Sequence, residues 1–280
     1  MDSTTVIKPE SSIKKYFSEI LERKELIYFF VWKDIKVRYK QVSLGIVWTI
    51  AQPLVLMLFF IFIFHKGLSL DTAGIPAALY YFSGLIIWNY FSQGVNHSTQ
   101  SIVSNGTMIR KIYFPRIILS ISSVLTAAFD FIISTLLLLA LILYYSYASL
   151  LSINWVSFII SLLLAFMITA VFTFSIGTVL SALNVTYRDV RYALPFLVQS
   201  FFFITPVIYD SQILKNNLMK ILLDLNPLNY SIDLIRTAIQ SGRILPVNDM
   251  SFSSLTVLAV LFLSSIVIFN RYERSFADIV

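Results

Sequence analysis

The chain has 280 residues, of which 58% are hydrophobic and 13% charged, and it contains no cysteine. That composition describes a single polytopic membrane domain with short connections, and it excludes a water-soluble globular enzyme, a disulfide scaffold and any thiolate metal site. The net charge of +6 comes from basic residues beside hydrophobic runs, which points to lipid headgroups and away from nucleic acid.

Residues 1–21 are polar, with Pro9 breaking any early helix. The first forty residues lack the apolar core of a cleavable signal peptide, so the mature chain is expected to begin near Met1. From Glu22 the chain turns charged and aromatic. On a helical projection Ile27, Val31 and Ile35 stack, with Tyr28, Trp32 and Tyr39 beside them and Lys33, Lys36 and Lys40 on the other side. The pattern predicts an amphipathic helix at an anionic, cytoplasmic membrane surface, where rings and lysine stems straddle the headgroups.

A first span follows at 44–64, broken by Pro53, and a second, aromatic-rich span at 77–95. The stretch 96–116 is too polar to cross and contains a turn signal at Asn105-Gly106. Spans at 117–144 and 156–183 are separated by a Ser- and Tyr-rich connection ending at Asn154. As a helix, 117–144 would be about 42 Å long and would project beyond the hydrocarbon. After the polar connection NVTYRDVR, a fifth span is predicted at 192–209 and a sixth at 252–269, with a charged tail from 271 to 280. Between them, 210–245 holds two apolar patches too short to cross, split at Asn226-Pro227, which suit re-entrant or interfacial helices. Most of the 21 Lys and Arg fall in the N-terminal segment, the 96–116 and 184–191 loops and the tail, so both termini are expected in the cytoplasm and 210–245 outside.

No catalytic constellation is visible. None of the eight glycines precedes a lysine, so a phosphate-cradling Walker A loop is absent, and GxSxG and HExxH are absent too. If ATP drives this protein, another chain binds it. His65 and His97 are far apart, so no metal site is expected. Asp130 is the one charged side chain well inside a predicted span. It could couple proton movement or touch substrate, or it could be hydrogen-bonded to Ser and Thr of neighbouring helices, or lie near the aqueous end of a long helix. The lack of a second ionisable group for a relay favours the structural role.

Rings crowd the second span (Tyr80, Tyr81, Phe82, Trp88, Tyr90, Phe91) and the fifth (Phe201, Phe202, Phe203). Packing accounts for most membrane aromatics, although rings also stack on the C–H faces of sugars. In the polar loops, Arg110, Lys111, Arg116, Arg188, Asp189 and Arg191 mix with Tyr113, Phe114 and Tyr187. They are either ordinary cytoplasmic charges or a docking surface.

Four ordered stretches carry a resemblance: DIKVRYKQVSLGIVWTIAQPL at 34–54, IRKIYFPR at 109–116, LSALNVTYRDVRY at 180–192 and PVIY at 206–209. Together they resemble the ABC-2 type permeases, in particular those exporting O-antigen, capsule or teichoic acid polysaccharide from bacteria. The resemblance implies an all-α polytopic membrane fold: a cytoplasmic segment 1–43 with its interface helix, and a transmembrane domain over 44–270. It implies a multi-pass protein of the bacterial cytoplasmic (inner) membrane, a homodimer joined to two copies of a separate ATP-binding subunit. ATP and Mg would be held by that partner, with no cofactor on this chain. A coupling helix within 96–116 would contact the partner through Arg110, Lys111, Tyr113 and Phe114, with Arg188 and Asp189 beside it. The 210–245 helices would gate the exit. The spans beginning at 44, 77 and 192 would line or flank an aromatic channel at the dimer interface, with Trp48, Tyr81, Phe82, Trp88, Tyr90, Phe91, Phe201 and Phe202 as candidates. The other readings are export of a drug or small lipid by the same fold, proton-coupled secondary transport using Asp130, and a non-transporting membrane scaffold.

Overall fold

A computed structural model describes residues 19–20, 22–40, 45–149, 151, 153–187, 189–210, 217–245, 249–273 and 276, and all its regular structure is helical. The expected start at Met1, the first residue of the first span, Arg188 and the end of the tail lie outside the described residues. Helix α1 (Lys24–Lys40) precedes α2 (Gly45–Phe60), which continues as a π-helical stretch over Ile61–Gly67. Then come α3 (Ala77–Ser104), the one-turn α4 (Gly106–Ile109), α5 (Ile117–Tyr147) and α6 (Trp155–Thr186). The chain closes with α7 (Val190–Ile204), α8 (Asn217–Asp224), α9 (Pro227–Ser241) and α10 (Asp249–Glu273).

Among the described helices, four are long and apolar enough to cross a membrane: Val47–Gly67, Ile117–Tyr147, Trp155–Thr186 and Phe252–Glu273. Helix α3 has the length but not the hydropathy, and its position explains why. It is the axis of the bundle, packed along α5 and α6 and buried over most of its circumference. A helix covered over most of its surface by other helices can carry Tyr, Ser, Asn and Gln without turning them toward lipid. Close approach of α3 and α6 depends on two glycines. A Cβ on Gly94 would fall 2.4 Å from Thr173 Cγ2, and one on Gly177 would fall 2.6 Å from Ser98 Cβ.

Residues 96–104, expected in a polar loop, continue α3 instead. Their polar side chains fold back onto the helix: Asn96 Nδ2 donates to the Ser92 carbonyl at 2.7 Å and Thr99 Oγ1 to that of Val95 at 2.7 Å. Asn184 Nδ2 donates to the Thr99 carbonyl at 2.9 Å, fastening the end of α6 to this extension. The true break comes at Asn105, and Asn154 caps α6 by accepting from the Val156 and Ser157 amides.

The fifth expected span is shorter than anticipated, because α7 stops at Ile204 and Pro206 lies in the following turn. Helix α9 begins with Asn226 as its cap and Pro227 in its first turn, and ends at Gly242, whose φ of 64° is the left-handed conformation that glycine permits. It is not a loose surface element. Eleven of its fifteen residues are buried, and it packs against α6, α3 and α10.

A second apolar cluster lies at the end of the bundle that holds α1 and α4. Phe30, Ile109, Phe114, Ile118, Val185 and Phe269 join there. Phe30, only 1% exposed, is the anchor of α1, and its ring lies 5.8 Å from that of Phe114. The expected stack of Ile27, Val31 and Ile35 is only half-buried, while Tyr28 and Trp32 face outward as anticipated for rings at a headgroup surface.

Candidate functional site

Helices α2, α3 and α7 converge on an open cleft of about 610 Å³. Its apolar lining includes Phe60, Trp88, Phe202 and Phe203, and its polar lining is Gln52, Asn89, Ser92, Asn96 and Gln199. Trp88 and Phe202 meet edge to face with centroids 5.1 Å apart, and Phe60 lies 6.2 Å from Phe202. The cleft therefore offers ring faces and edges alternating with neutral amides, with no formal charge on its walls. Such a surface can stack on the C–H faces of a sugar and exchange hydrogen bonds with its hydroxyls, each contact being weak.

The predicted path residues divide in two. Trp88 and Phe202 line the cleft, and Phe201 stands behind Trp88 at 6.3 Å. Tyr81 is fully buried at the foot of Phe60, 6.0 Å away. Phe82 is fully buried, Phe91 stacks on Phe172 at 5.2 Å, and Tyr90 is sandwiched with Phe166 and Phe131. These three belong to the packing of α3. Trp48 is 60% exposed on α2, away from the cleft lining. The cleft amides escaped the sequence reading because an amide is an ordinary residue until two helices face it toward a third. Their signal was Gln52, Asn89 and Gln199 recurring inside otherwise apolar runs.

A small polar cavity of about 20 Å³, room for roughly one water, adjoins the cleft and shares Gln52 and Asn89 with it. Asp130 and Ser134 of α5 form its other wall. Asp130 is buried but not alone, and its partners are not the Ser and Thr expected. Arg38 Nη1 donates to Oδ2 and the Tyr39 hydroxyl donates to Oδ1. Burial, and after it the hydrogen bond to Asp130, push the Tyr39 phenol above its ordinary range, so it remains a donor. Arg38 also reaches His97 Nε2 at 2.6 Å. The signal was available: Arg38 lies three residues after Ile35 and seven after Val31, a cation on the arc assigned to apolar contact.

On the other side of this ion pair, α1 and the ends of α3 and α5 enclose a second cavity of about 510 Å³, lined by Lys33, Arg38, His97, Asn105 and Ser122 among others. Lys33, expected on the opposite arc of α1, instead turns inward and donates from Nζ to Asn105 Oδ1 at 2.9 Å, so α1 is held at its middle as well as at Arg38.

The expected docking residues lie at this same end. Arg110, Lys111 and Tyr113 are exposed, Tyr113 to 67%. Phe114 is the exception, buried beneath Phe30 as part of the apolar cluster. Arg23, just before α1, donates from Nη1 to the Tyr113 carbonyl at 2.8 Å, bracing the exposed loop. Tyr187 and Asp189 are exposed on the second loop, and the packing of Val185 with Ile109 and Phe114 brings the two loops together. Arg116 is structural as well: its backbone amide donates to Glu273 Oε1 at 2.8 Å, joining α5 to the end of α10.

A family model described as ABC-2 type transporter matches residues 25–239. The chain is 28% identical over 255 residues to the O-antigen export system permease protein RfbA of Klebsiella pneumoniae, covering 91% of this chain and 95% of that protein. It is 28% identical over 262 residues to the protein of the same name from Myxococcus xanthus, covering 93% and 97%. The polysialic acid transport protein KpsM of Escherichia coli is 23% identical over 248 residues, covering 86% and 91%.

Proposed function

Because the chain belongs to the ABC-2 type transporter family, we propose that it is the permease subunit of an ATP-driven exporter that moves a lipid-linked polysaccharide across the bacterial cytoplasmic membrane. The printed functions of its relatives, O-antigen export and polysialic acid transport, support this cargo class. The observation that carries it here is the cleft of α2, α3 and α7, where Trp88, Phe202 and Phe203 alternate with Gln52, Asn89 and Gln199. A long polymer must slide, so it needs many weak contacts rather than one tight site. An uncharged wall of rings and amides meets that need, and it suits a glycan better than an apolar drug.

In this reading the permease has six spans. Helix α3 crosses inside the bundle, and α7 crosses together with the turn after it, since its 15 residues make a helix of only about 22 Å. Both termini lie in the cytoplasm. The transmembrane domain runs over 44–270, flanked by the interface segment 1–43 and the tail 271–280. Two copies pair so that the apolar outer faces of α2 with its π-helical continuation and of α7, which carry exposed Phe59, Phe62, Tyr192 and Phe196, are covered and the cleft is closed. Two ATP-binding subunits, holding ATP and Mg, dock on Arg110, Lys111 and Tyr113, with Arg188 and Asp189 beside them. Closure of that pair on ATP moves the 105–116 segment, and the spans rock to open the path. In this reading Asp130 serves structure and not proton coupling, its charge being paired with Arg38.

The test is purification in mild detergent from the native membrane, with mass spectrometry of what accompanies the permease. A near-equimolar subunit with a Walker A motif, and loss of surface polysaccharide when this chain is deleted, are the expected results. An intact permease that reproducibly purifies without such a subunit would overturn the proposal.

A further inference from the structure

The chain after α7 poses a hydrogen-bonding problem. Helix α7 ends at Ile204, Thr205 turns extended, and Pro206 brings no amide proton to continue any ladder. The carbonyls around this break must find donors elsewhere, and they find side chains. The Tyr209 hydroxyl lies 3.1 Å from the carbonyls of both Phe203 and Ile204. Arg236, from the middle of α9, sends Nη1 to the Pro206 carbonyl at 2.9 Å and Nη2 to that of Val207 at 2.9 Å. The same Nη2 lies 3.3 Å from the Tyr80 carbonyl on α3, and the guanidinium stacks over the Tyr80 ring with Cζ 3.7 Å from its centroid.

Arg236 is 6% exposed, and the carboxylates of Asp210 and Asp233 act electrostatically on its charge. The cap of α9 grips the same turn, since Asn226 Nδ2 donates to Thr205 Oγ1 at 3.1 Å. Gly84 makes room for it: a Cβ there would lie 3.2 Å from both Arg236 Nη2 and Val207 Cα.

We propose that Arg236 is a positioning residue for the cleft: by holding the carbonyls of Pro206 and Val207 it makes the 205–209 turn and α9 one rigid body, and so sets the place of Phe202 and Phe203 on the cleft wall. Buried arginine is suited to this because its planar fork offers several donors at fixed angles, whereas lysine offers a single point of charge. The proposal accounts for the PVIY stretch at 206–209, whose proline makes the break and whose tyrosine closes one side of it. It also explains why α9 is packed into the bundle: a wall is being held, and a flap on the surface would not hold it. The consequence for transport rests on the permease reading above, whereas the geometric role does not.

The experiment uses the full permease with its ATP-binding partner in native membranes. The chain has no cysteine, so Phe203→Cys gives a single labelling position on the cleft wall, read with a membrane-impermeant maleimide. Tyr147→Cys, 94% exposed at the end of α5, serves as the control. Arg236→Lys, Arg236→Met and Tyr209→Phe are made in both backgrounds. The expected result is a change in Phe203→Cys labelling of about threefold or more in the Arg236 variants with the control unchanged, because local order is lost without global unfolding. Polysaccharide export should fall by about tenfold in Arg236→Met, the factor that 1.4 kcal/mol gives, and less in Arg236→Lys.

Should Arg236→Met fail to insert, Arg236→Lys and Tyr209→Phe carry the same labelling test, since each keeps the bulk of the side chain while removing, respectively, the planar fork and the hydroxyl that bonds the Phe203 and Ile204 carbonyls. Unchanged labelling in every inserted variant would overturn the positioning role whatever the cargo. Altered labelling with no polysaccharide exported by the unmodified permease would uphold that role and overturn the cargo instead.

Discussion

Arg38 of the interface helix donates to Asp130 of the third expected span, so the segment at the membrane surface is bonded directly into the bundle. The carboxylate thereby joins α1 to α5, and its other oxygen is taken by Tyr39. The pair links a cavity opening beside α1 to the small polar cavity adjoining the cleft. Removing either partner leaves the other without its match. Arg38→Met and Asp130→Asn should each lower stability by about 1–3 kcal/mol, and the double variant should lose clearly less than their sum. Thermal unfolding of the four proteins in detergent measures this, and strictly additive losses would show the pair to be idle.

Phe30 is the apolar anchor of the same helix, packed on Phe114. Phe30→Ala should cost about 3 kcal/mol and loosen α1 from the bundle while the spans stay inserted. Limited proteolysis between 22 and 40 should then be faster than in the unmodified protein, and an equal cleavage rate would count against the anchor.

The two kinds of ring should behave oppositely. Trp88→Leu and Phe202→Leu remove the face a sugar can stack on, so export per folded molecule should fall about fivefold or more; the unfolding temperature should be nearly unchanged for Phe202→Leu and lower for Trp88→Leu, whose buried ring also packs on Phe91. Phe91→Leu, buried on Phe172, should lower the unfolding temperature and leave export per folded molecule close to normal. A reversal of these assignments would move the path away from the cleft.

The contact of α3 with α6 has no spare room. Gly94→Ala and Gly177→Ala put a methyl group against Thr173 and Ser98, and each should cost about 1–3 kcal/mol by overpacking. Gly94→Ala paired with Thr173→Ser, which removes the opposing methyl, should recover much of the loss, and an absence of recovery would place the strain elsewhere.

Arg110 and Lys111 are exposed at the end of the bundle where the two loops meet. Replacing both with alanine should leave insertion and unfolding temperature unchanged and uncouple ATP hydrolysis from export. Export at the unmodified rate by that double variant would remove these residues from the docking surface.

Much of this organisation was legible in the chain itself. Long apolar runs must become helices when no water is present to satisfy the backbone, so α2, α5, α6 and α10 could be placed to within a few residues. The turn at Asn105-Gly106, the end of the connection at Asn154 and the split at Asn226-Pro227 are local chemistry and were equally readable. What misled was polarity: 96–104 reads as a loop, yet its Ser, Thr and Asn bond back to their own helix and face other helices.

The sequence by itself determined the solvent, the class of fold and the sites of chain reversal, because each depends on neighbours within a few turns. The tertiary structure decided which polar residue meets which. Arg38 and Asp130 are 92 residues apart, Arg236 and Tyr80 are 156 apart, and the cleft amides come from three helices. Such pairings follow from how helices cross, and crossing is fixed by side-chain volume and by gaps such as Gly94 and Gly177, which no local pattern encodes.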